Sequence, residues 1–145
     1  MYVAYLAGGI ASGKSTVAAE LERRGAWRID LDVLSREVCE PGSPTLAALS
    51  QTFGADVLDE LGELRRDVLA QRAFASAEAT RALEGIMHPA ILAELARRLS
   101  APTDAAVCVV EVPLLDRALA WGQAPDEVVC VICPTPIRRE RAVGR

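Results

Sequence analysis

Apolar residues recur along the chain in short unbroken runs separated by stretches of mixed polarity. Long runs occupy residues 2–7 (YVAYLA), 105–112 (AAVCVVEV) and 128–132 (VVCVI), and a shorter one occupies residues 26–30 (AWRID). Continuous apolar runs of this length are typical of strands that are covered on both faces. The pattern therefore predicts an α/β fold in which a parallel sheet lies between layers of helices.

The segment between the first strand and the second has the spacing of an amphipathic helix. Within residues 14–25, Val17 and Leu21 stand one helical turn apart, and two arginines precede Gly25. Basic side chains suit the negative end of a helix dipole, and glycine is a favoured cap after the last turn. We therefore expect a helix that ends at Gly25 and leads directly into the second strand.

A long helical stretch separates the second strand from the third. Ser43 and Pro44 have the residue types preferred at a helix N-cap and first turn, and a further helix is expected over about residues 66–75. Another helical pattern follows Ser76. Pro89 should interrupt this last helix, because proline removes a helical hydrogen bond and displaces the preceding residue from helical geometry.

These elements predict a three-layer α/β core with a parallel sheet that carries an all-helical insertion. The core is expected to consist of residues 1–32 and 101–145, and the insertion of residues 33–100. A chain of 145 residues is long enough to bury a substantial core, and about half of its residues are apolar. The sequence shows no internal repeat and no low-complexity linker.

Composition argues against several classes of partner. The net charge is −4, so a broad basic surface for nucleic acid is not expected. The apolar runs are far shorter than the roughly 20 residues that a membrane span needs. The N-terminus enters a strand at once and lacks the pattern of a signal peptide, so the expected location is the cytoplasm. Oligomeric state has no signature in the sequence.

Cys130 and Cys133 form a C-x-x-C pair, a spacing found in redox and metal sites. The surrounding apolar run predicts a buried strand, in which residues three positions apart point to opposite faces. The chain contains one histidine and no second cysteine pair that could complete a metal site. A structural role in a buried strand is therefore favoured over a redox or metal site.

A glycine-rich turn joins the first strand to the first helix and carries the clearest chemical motif. Gly8, Gly13, Lys14 and Ser15 match the phosphate-loop pattern G-x-x-x-x-G-K-S/T in its required strand–turn–helix context. Glycines let backbone N–H groups turn inward around an anion, and the helix N-terminus adds its positive end. In such loops the lysine contacts the β- and γ-phosphates of a nucleotide, and the hydroxyl binds Mg²⁺. A flexible glycine turn without a ligand is the alternative.

Lysine usage supports the phosphate-loop interpretation. The chain contains fifteen arginines and a single lysine, which is Lys14. A compact ammonium fits inside a phosphate loop, where a planar guanidinium does not. The one departure from the general use of arginine thus stands at the position where phosphate chemistry requires it.

Two aspartates at the end of the second strand favour phosphoryl transfer over hydrolysis. Asp30 and Asp32 are expected at the carboxyl edge of the sheet, where ligands of α/β proteins usually bind. A kinase needs a carboxylate that accepts the proton of an acceptor hydroxyl, and Asp32 can project toward the γ-phosphate. The sequence contains no N-K-x-D-like segment that would bind guanine. The alternative is that the aspartates cap the following helix.

Several segments, taken in order, resemble the dephospho-CoA kinases. They are GGIASGKSTV, IDLDVLSREVCEPGSPTLAAL, FGADVLDELGELRR, HPAI and VVEVPLL, and the likeness extends over essentially the whole chain. The phosphate loop alone indicates only a superfamily, whereas its combination with EPG, HP and VPLL is much more specific. The resemblance implies phosphorylation of the 3′-hydroxyl of dephospho-CoA by ATP with Mg²⁺, the last step of coenzyme A synthesis. It also implies a helical acceptor domain and a mobile lid.

The resemblance implies roles for individual residues. Asp32 corresponds to the family's proposed general base, and Arg141 to an arginine that lies near the ATP phosphates, where Lys14 also acts. The loop residues implied to bind the nucleotide are Gly9, Ile10, Ala11, Ser12, Gly13, Lys14, Ser15 and Thr16, with Ser15 as the metal ligand. The residues implied to face the acceptor are Asp30, Arg36, His88, Pro113 and Leu114.

Residue types alone leave alternatives open for several of these positions. Arg36 and Arg141 are equally compatible with solvated charges on a helix surface. A lone histidine before a proline, as at His88, is more often a capping or packing residue. Pro113 and Leu114 are also compatible with simple core packing at the end of the third strand.

The sequence departs from the family pattern toward its end. After VPLL the family commonly carries a glutamate, whereas this chain has Asp116 and then Arg117. The chain stops at Arg145, where the resemblance would continue into the lid, a further strand and a closing helix. Two alternatives therefore stay open: a nucleotide-binding module without turnover, and a related kinase with another small-molecule acceptor.

Overall fold

The computed structural model describes residues 1–113 and 124–143. Leu114, Asp116 and Arg117, to which the sequence analysis gives roles, lie outside these residues. The strands are β1 (Tyr2–Gly8), β2 (Trp27–Asp30), β3 (Val107–Glu111) and β4 (Glu127–Val131). The helices are α1 (Lys14–Arg23), α2 (Leu31–Glu37), α3 (Pro44–Phe53), α4 (Arg66–Ala73), α5 (Ala77–Leu99) and α6 (Thr135–Val143), with a short 3₁₀ turn at Ala55–Val57.

The described strands form one four-stranded parallel sheet in the order β2-β3-β1-β4. Tyr2 of β1 pairs with Val107 of β3, and Ala4 of β1 pairs with Glu127 of β4. On the other side of β3, its last residue pairs with Asp30 of β2. Because all pairs are parallel, the carboxyl ends of the strands meet at one edge of the sheet, and the predicted parallel α/β arrangement is confirmed.

The two central strands are buried on both faces, as their apolar runs predict. Tyr5 and Leu6 of β1 are each 1% exposed although they point to opposite faces, and Cys108 and Val109 of β3 are also buried. The helix α1 covers one of these faces, where Ala18 packs against Leu6 and Val109. Removal of this apolar surface from water is the main contribution to the stability of the sheet.

β4 differs from the central strands, and the expectation that residues 128–132 are covered on both faces is wrong. Val128 and Val129 are 37% and 39% exposed, and Ile132 is 88% exposed. Within the described residues β4 lies at the edge of the sheet and has a neighbouring strand on one side only. An edge strand has less of the protein packed around it than a central one, so its apolar residues stay in contact with water.

The first helix ends as its sequence predicts. Gly25 follows Arg24 with a φ of 97°, a left-handed conformation in which glycine has no steric penalty. The N–H of Ala26 donates to the carbonyl of Leu21 at 3.0 Å, and the N–H of Gly25 donates to the carbonyl of Glu22 at 2.9 Å. This pair of hydrogen bonds satisfies carbonyls at the end of the helix and turns the chain into β2.

The chain divides into two compact units. The first, which we call the core unit, comprises residues 1–32 and 102–145 and contains the sheet, α1 and α6. The second, which we call the helical unit, comprises residues 33–101 and contains α3, α4, α5 and most of α2. None of the described helices is both long and apolar enough to cross a lipid bilayer.

Serine side chains start two helices of the helical unit. Ser43 Oγ accepts a hydrogen bond from the N–H of Leu46 at 3.1 Å, and Pro44 occupies the first turn of α3. Ser76 Oγ accepts a hydrogen bond from the N–H of Ala79 at 3.0 Å at the start of α5. Each hydroxyl satisfies an N–H group that has no partner within its helix, and the predicted start of α3 is confirmed.

The helix α5 runs without interruption from Ala77 to Leu99, so the expected break at Pro89 is wrong. Proline removes the hydrogen bond to the carbonyl of Gly85, at a cost of about 3 kcal/mol in a helix interior. Apolar side chains on both sides of the proline offset this cost, because Ile86 packs against the core of the helical unit and Ile91 is buried. Tertiary packing here outweighs the local preference of the sequence.

Candidate active site

The turn from β1 to α1 is shaped by two glycines. Gly13 is the N-cap of α1 and has a φ of 95°, in the left-handed region that favours glycine. A Cβ atom at Gly8 would lie 2.6 Å from Ser12 Oγ and 2.8 Å from the carbonyl oxygen of Val131, distances that no side chain tolerates. Between these glycines the backbone folds back on itself, and the N–H of Ser12 donates to the carbonyl of Gly9 at 3.1 Å.

This turn forms the wall of a pocket at the carboxyl edge of the sheet. The pocket has a volume of about 420 Å³, which is within the range of small-molecule sites. Its lining residues are Gly8, Gly9, Ile10, Ala11, Ser12, Gly13, Lys14, Ser15, Thr16, Asp32 and Pro113. The structure therefore brings the whole predicted phosphate loop together with Asp32 and Pro113, all within the core unit.

Lys14 is tethered to the end of the third strand. Its Nζ donates a hydrogen bond to the carbonyl of Val112 at 3.0 Å. Val112 is itself fully buried, and its N–H donates to the carbonyl of Leu6 at 3.0 Å, so the acceptor is fixed in the sheet. The ammonium group is thus held beside the glycine turn at the edge of the sheet.

A buried carboxylate lies beneath the first turn of α1. Glu111, the last residue of β3, is 2% exposed, and its Oε2 accepts a hydrogen bond from Ser15 Oγ at 2.9 Å. Its Oε1 accepts a hydrogen bond from Nε of Arg28 at 2.6 Å and forms an ion pair with Nη2 of the same guanidinium at 2.6 Å. Without such partners a buried carboxylate would be strongly destabilising. The sequence analysis does not single out this residue, although a glutamate within the apolar run VCVVEV indicates buried partners.

Asp30 and Asp32 make different contacts at the end of β2. Asp30 Oδ1 accepts a hydrogen bond from the backbone N–H of Asp32 at 2.8 Å. This is the capping alternative, and the structure shows it for Asp30. Asp32 lies in the first turn of α2, is exposed to solvent and lines the pocket. Of the two aspartates, Asp32 is therefore the one that faces the loop.

Two arginines of α6 approach the glycine turn. Arg141, together with residues 11–13 and the first turn of α1, lines a second cavity of about 400 Å³, and its Nη1 lies 3.9 Å from Cys133 Sγ. Arg138 Nε donates to the carbonyl of Ile10 at 3.1 Å. The sequence analysis does not single out Arg138, because nothing in the run RRER distinguishes the arginine that faces the turn from its exposed neighbours.

The hydroxyl of Ser12 is buried and has no hydrogen-bond partner within residues 1–113 and 124–143. Ser12 lines both the main pocket and the second cavity. Buried hydroxyl groups in proteins are nearly always hydrogen-bonded. The hydroxyl is packed against Gly8, at the start of the glycine turn.

Arg36 and His88 are not among the residues that line the pocket. Arg36 is exposed in the last turn of α2, and His88 is half-buried in α5. Both residues belong to the helical unit. Leu114, which the resemblance also assigns to the acceptor, lies outside the described residues.

The two cysteines of the C-x-x-C pair are free thiols in different surroundings. Cys130 is exposed on β4, and Cys133 is half-buried beyond the end of that strand. The expectation that this pair lies in a buried strand is therefore wrong, because β4 is an edge strand. In the described part of the chain, no group of three or more His, Cys, Asp and Glu side chains gathers around a possible metal position.

Comparison with known proteins places this site in one family. The sequence profile described as dephospho-CoA kinase matches residues 2–145. The dephospho-CoA kinase of Methylococcus capsulatus is 42% identical over all of this chain, which covers 72% of that relative. The dephospho-CoA kinase of Frankia casuarinae is 41% identical, again over all of this chain, which covers 63% of it.

Solved structures have the same fold. The crystal structure of TT1252 from Thermus thermophilus superposes with a TM-score of 0.84 at 31% identity, over 99% of this chain and 72% of that one. Dephospho-CoA kinase from Campylobacter jejuni gives a TM-score of 0.66 at 17% identity, over 98% of this chain and 94% of that one, a likeness of fold alone. From the profile match and the identity to the curated relatives, the chain belongs to the dephospho-CoA kinase family.

Proposed function

We propose that this chain transfers the γ-phosphoryl group of ATP to the 3′-hydroxyl of dephospho-CoA. The observation that carries the proposal is a single pocket in the core unit that contains a phosphate loop, Lys14 and Asp32. Membership of the family supplies the identity of the acceptor. A bond forms between the acceptor oxygen and the γ-phosphorus, the bond from that phosphorus to the β–γ bridging oxygen breaks, and ADP leaves.

The glycine turn and the start of α1 bind the phosphates in this proposal. The glycine turn leads into the positive N-terminal end of α1, and this end of a helix suits an anion. Lys14 adds a full positive charge beside the turn. Arg141, which lines the cavity next to residues 11–13, contributes charge that stabilises the transition state.

The residues at the start of α1 fit a magnesium ion. Mg²⁺ prefers oxygen ligands, and the hydroxyl of Ser15 lies over the carboxylate of Glu111. Because Ser15 donates its single proton to Glu111, the lone pairs of the hydroxyl oxygen are left for a cation. When bound, Mg²⁺ neutralises charge on the β- and γ-phosphate oxygens.

Asp32 accepts the proton of the acceptor hydroxyl in this proposal. Its side chain lines the pocket, and the hydrogen bond from its own N–H to Asp30 anchors the first turn of α2. Phosphoryl transfer depends mostly on positioning and on charge stabilisation, so a carboxylate within hydrogen-bond reach of the hydroxyl is sufficient.

We assign binding of the acceptor to residues that match the family's motifs. They are Asp30, Arg36, His88, Pro113 and Leu114. Pro113 supports the assignment because it lines the same pocket as the phosphate loop. Arg36 carries an exposed guanidinium, a group that binds phosphate through paired hydrogen bonds.

A coupled assay of ADP release with Mg-ATP, with and without dephospho-CoA, tests this function. We expect ADP to form only when dephospho-CoA is present. Lys14→Ala should lower turnover about 1,000-fold or more, because it removes the charge at the phosphates. Asp32→Asn should lower it about 100- to 10,000-fold, because the amide cannot accept the proton. Asp104→Asn, which changes an exposed aspartate of the core unit away from the pocket, is the matched control and should stay within about twofold.

Other outcomes of this assay, together with a measurement of nucleotide binding, indicate other functions. ADP release that does not depend on dephospho-CoA contradicts transfer to that acceptor, and a panel of nucleosides and nucleotides then identifies the true one. Nucleotide binding without turnover identifies a nucleotide-binding module. Failure to bind any nucleotide contradicts both the kinase and the binding module.

A further inference from the structure

The carboxylate of Glu111 contacts two side chains that come from different parts of the sequence. Oε2 accepts a hydrogen bond from the hydroxyl of Ser15 in α1, and Oε1 accepts a hydrogen bond from Nε of Arg28 in β2 and lies 2.6 Å from its Nη2. Each oxygen therefore has its own donor. The guanidinium holds Oε1 by a charge-assisted hydrogen bond, which leaves Oε2 for the hydroxyl.

The strand register explains why these residues meet. Arg28 of β2 pairs with Val109 of β3, two positions before Glu111, so Arg28 and Glu111 lie diagonally on the same face of the sheet. Val109 packs against Ala18 of α1, which identifies this face as the one that α1 covers. Arg28 therefore reaches Glu111 from the side, beneath the helix whose first turn carries Ser15.

Arg28 keeps its positive charge in this position. Burial acts to lower the pKa of Arg28, but the hydrogen bond and charge of Glu111, with smaller effects of Glu22 and Asp30, outweigh burial and leave the pKa raised. Its Nη1 also lies 3.7 Å from Glu22 Oε2 on α1. The side chain is 25% exposed, so it is held between the sheet and α1 with little freedom to move.

We propose that Arg28 is a positioning residue for the cation site of this enzyme. It holds Glu111 in the orientation that accepts the hydrogen bond from Ser15, and so leaves the lone pairs of the Ser15 oxygen available to the cation. Arg28 touches neither nucleotide nor cation and acts through Glu111 alone. The proposal rests on the assignment of Ser15 as a magnesium ligand under the proposed function.

Metal binding can be measured separately from catalysis. The unbound fraction of Mn²⁺, followed by electron paramagnetic resonance in the presence of ADP, gives the affinity of the cation site, and calorimetry without metal gives the affinity for ADP. For Arg28→Met we expect Mn²⁺ to bind about tenfold more weakly, while ADP without metal binds within about twofold of the unaltered chain. Arg28→Lys should recover part of the loss, because it restores the charge without the planar guanidinium that contacts Oε1 through two nitrogens.

Two further variants separate positioning from general damage. Arg24→Met changes an exposed arginine that pairs with Glu20 on α1, and it should leave both affinities unchanged. If Arg28 acts only through Glu111, the double variant Arg28→Met/Glu111→Gln should bind Mn²⁺ no more weakly than Glu111→Gln alone. The double variant also removes both charges of the pair, so it keeps the test valid if the single Arg28→Met chain folds poorly.

Several results would contradict the positioning role of Arg28. Unchanged Mn²⁺ affinity in Arg28→Met, or an equal loss of metal-free ADP binding, overturns it, and so does full additivity in the double variant. Ser15→Ala separates this failure from that of the proposed function. If Ser15→Ala weakens Mn²⁺ binding and Arg28→Met does not, only the positioning role falls. If metal leaves the affinity for ADP unchanged in both the unaltered chain and Ser15→Ala, Ser15 is not a magnesium ligand. The positioning role of Arg28 is then contradicted as well.

Discussion

The strands β3 and β4 both pair in parallel with β1, and each consists of four apolar residues and one glutamate, but they lie in opposite environments. β3 stands between two other strands, and its residues Cys108 and Val110 are fully buried. β4 stands at the edge of the described sheet, and Val128, Val129 and Cys130 remain exposed. Apolar composition alone therefore does not tell a covered strand from an edge strand; the strand order does.

The same difference separates the chemistry of the two strands. A carboxylate buried on a central strand needs hydrogen-bond partners within the protein, and Glu111 has Ser15 and Arg28. The carboxylate of Glu127 on β4 accepts a hydrogen bond from the hydroxyl of Tyr2 at 3.0 Å but stays exposed to water. Glu111 is connected to the site by its buried hydrogen bond with Ser15, whereas the glutamate on β4 is a surface group.

The largest contrast is expected in thiol reactivity. Cys108 on β3 is buried, which raises its pKa to about 11, whereas Cys130 on β4 is exposed. Near neutral pH we expect Cys130 to react with an alkylating reagent more than about 1,000-fold faster than Cys108, since Cys108 has little thiolate and reacts only after local opening. Mass spectrometry of the modified peptides over time measures both rates.

Unfolding provides the control for this experiment. In guanidinium chloride the four cysteines of the chain should react at similar rates, because the folded environment is gone. Comparable rates for Cys108 and Cys130 in the native protein would show that β3 is not the buried strand described above.

A smaller but still large contrast is expected for the two glutamates. Glu111→Leu leaves the guanidinium of Arg28 without its partner and removes the acceptor of Ser15. Turnover should therefore fall about 100-fold, and the free energy of unfolding should fall by about 2 kcal/mol. Glu127→Leu is the matched control on β4 and should change the free energy of unfolding by about 0.5 kcal/mol or less. Steady-state kinetics and denaturant titration measure both effects. Equal losses in the two variants would contradict the difference between the strands.

The smallest contrast concerns the stability of the two apolar faces. Val110→Ala removes methyl groups from a fully buried position and should lower the free energy of unfolding by about 2 kcal/mol, close to a 30-fold change in the unfolding equilibrium. Val129→Ala should cost about 0.5 kcal/mol, because this side chain is already in contact with water. Thermal and urea unfolding of both variants measure the difference, and a cost at Val129 as large as that at Val110 would mean that β4 is covered in solution.

Features that depend on neighbouring residues could be predicted from the sequence. The strand–turn–helix around Gly8 and Lys14, the cap at Gly25 and the N-cap at Ser43 all follow from a few consecutive residues. The geometry of each is local, so the residue types alone are sufficient to indicate it. The gathering of the loop residues with Asp32 followed from the rule that parallel strands place their carboxyl ends at one edge.

Features that depend on distant partners could not be predicted in this way. The partners of Glu111 come from residues 15 and 28, and only the strand register brings them together. The exposure of β4 follows from its place in the sheet. The continuity of α5 through Pro89 follows from packing on both sides of the proline. In each case tertiary structure overrides or supplements a local preference.

We propose that the pocket that contains Lys14 and Asp32 transfers phosphate to dephospho-CoA. The most direct measurement is phosphorus NMR of the reaction products after incubation of this chain with Mg-ATP and dephospho-CoA. We expect a new phosphomonoester signal on the 3′-oxygen of the acceptor, equal in amount to the ADP formed, and its disappearance in Lys14→Ala and Asp32→Asn. ATP consumed with release of inorganic phosphate and no new phosphomonoester would contradict it.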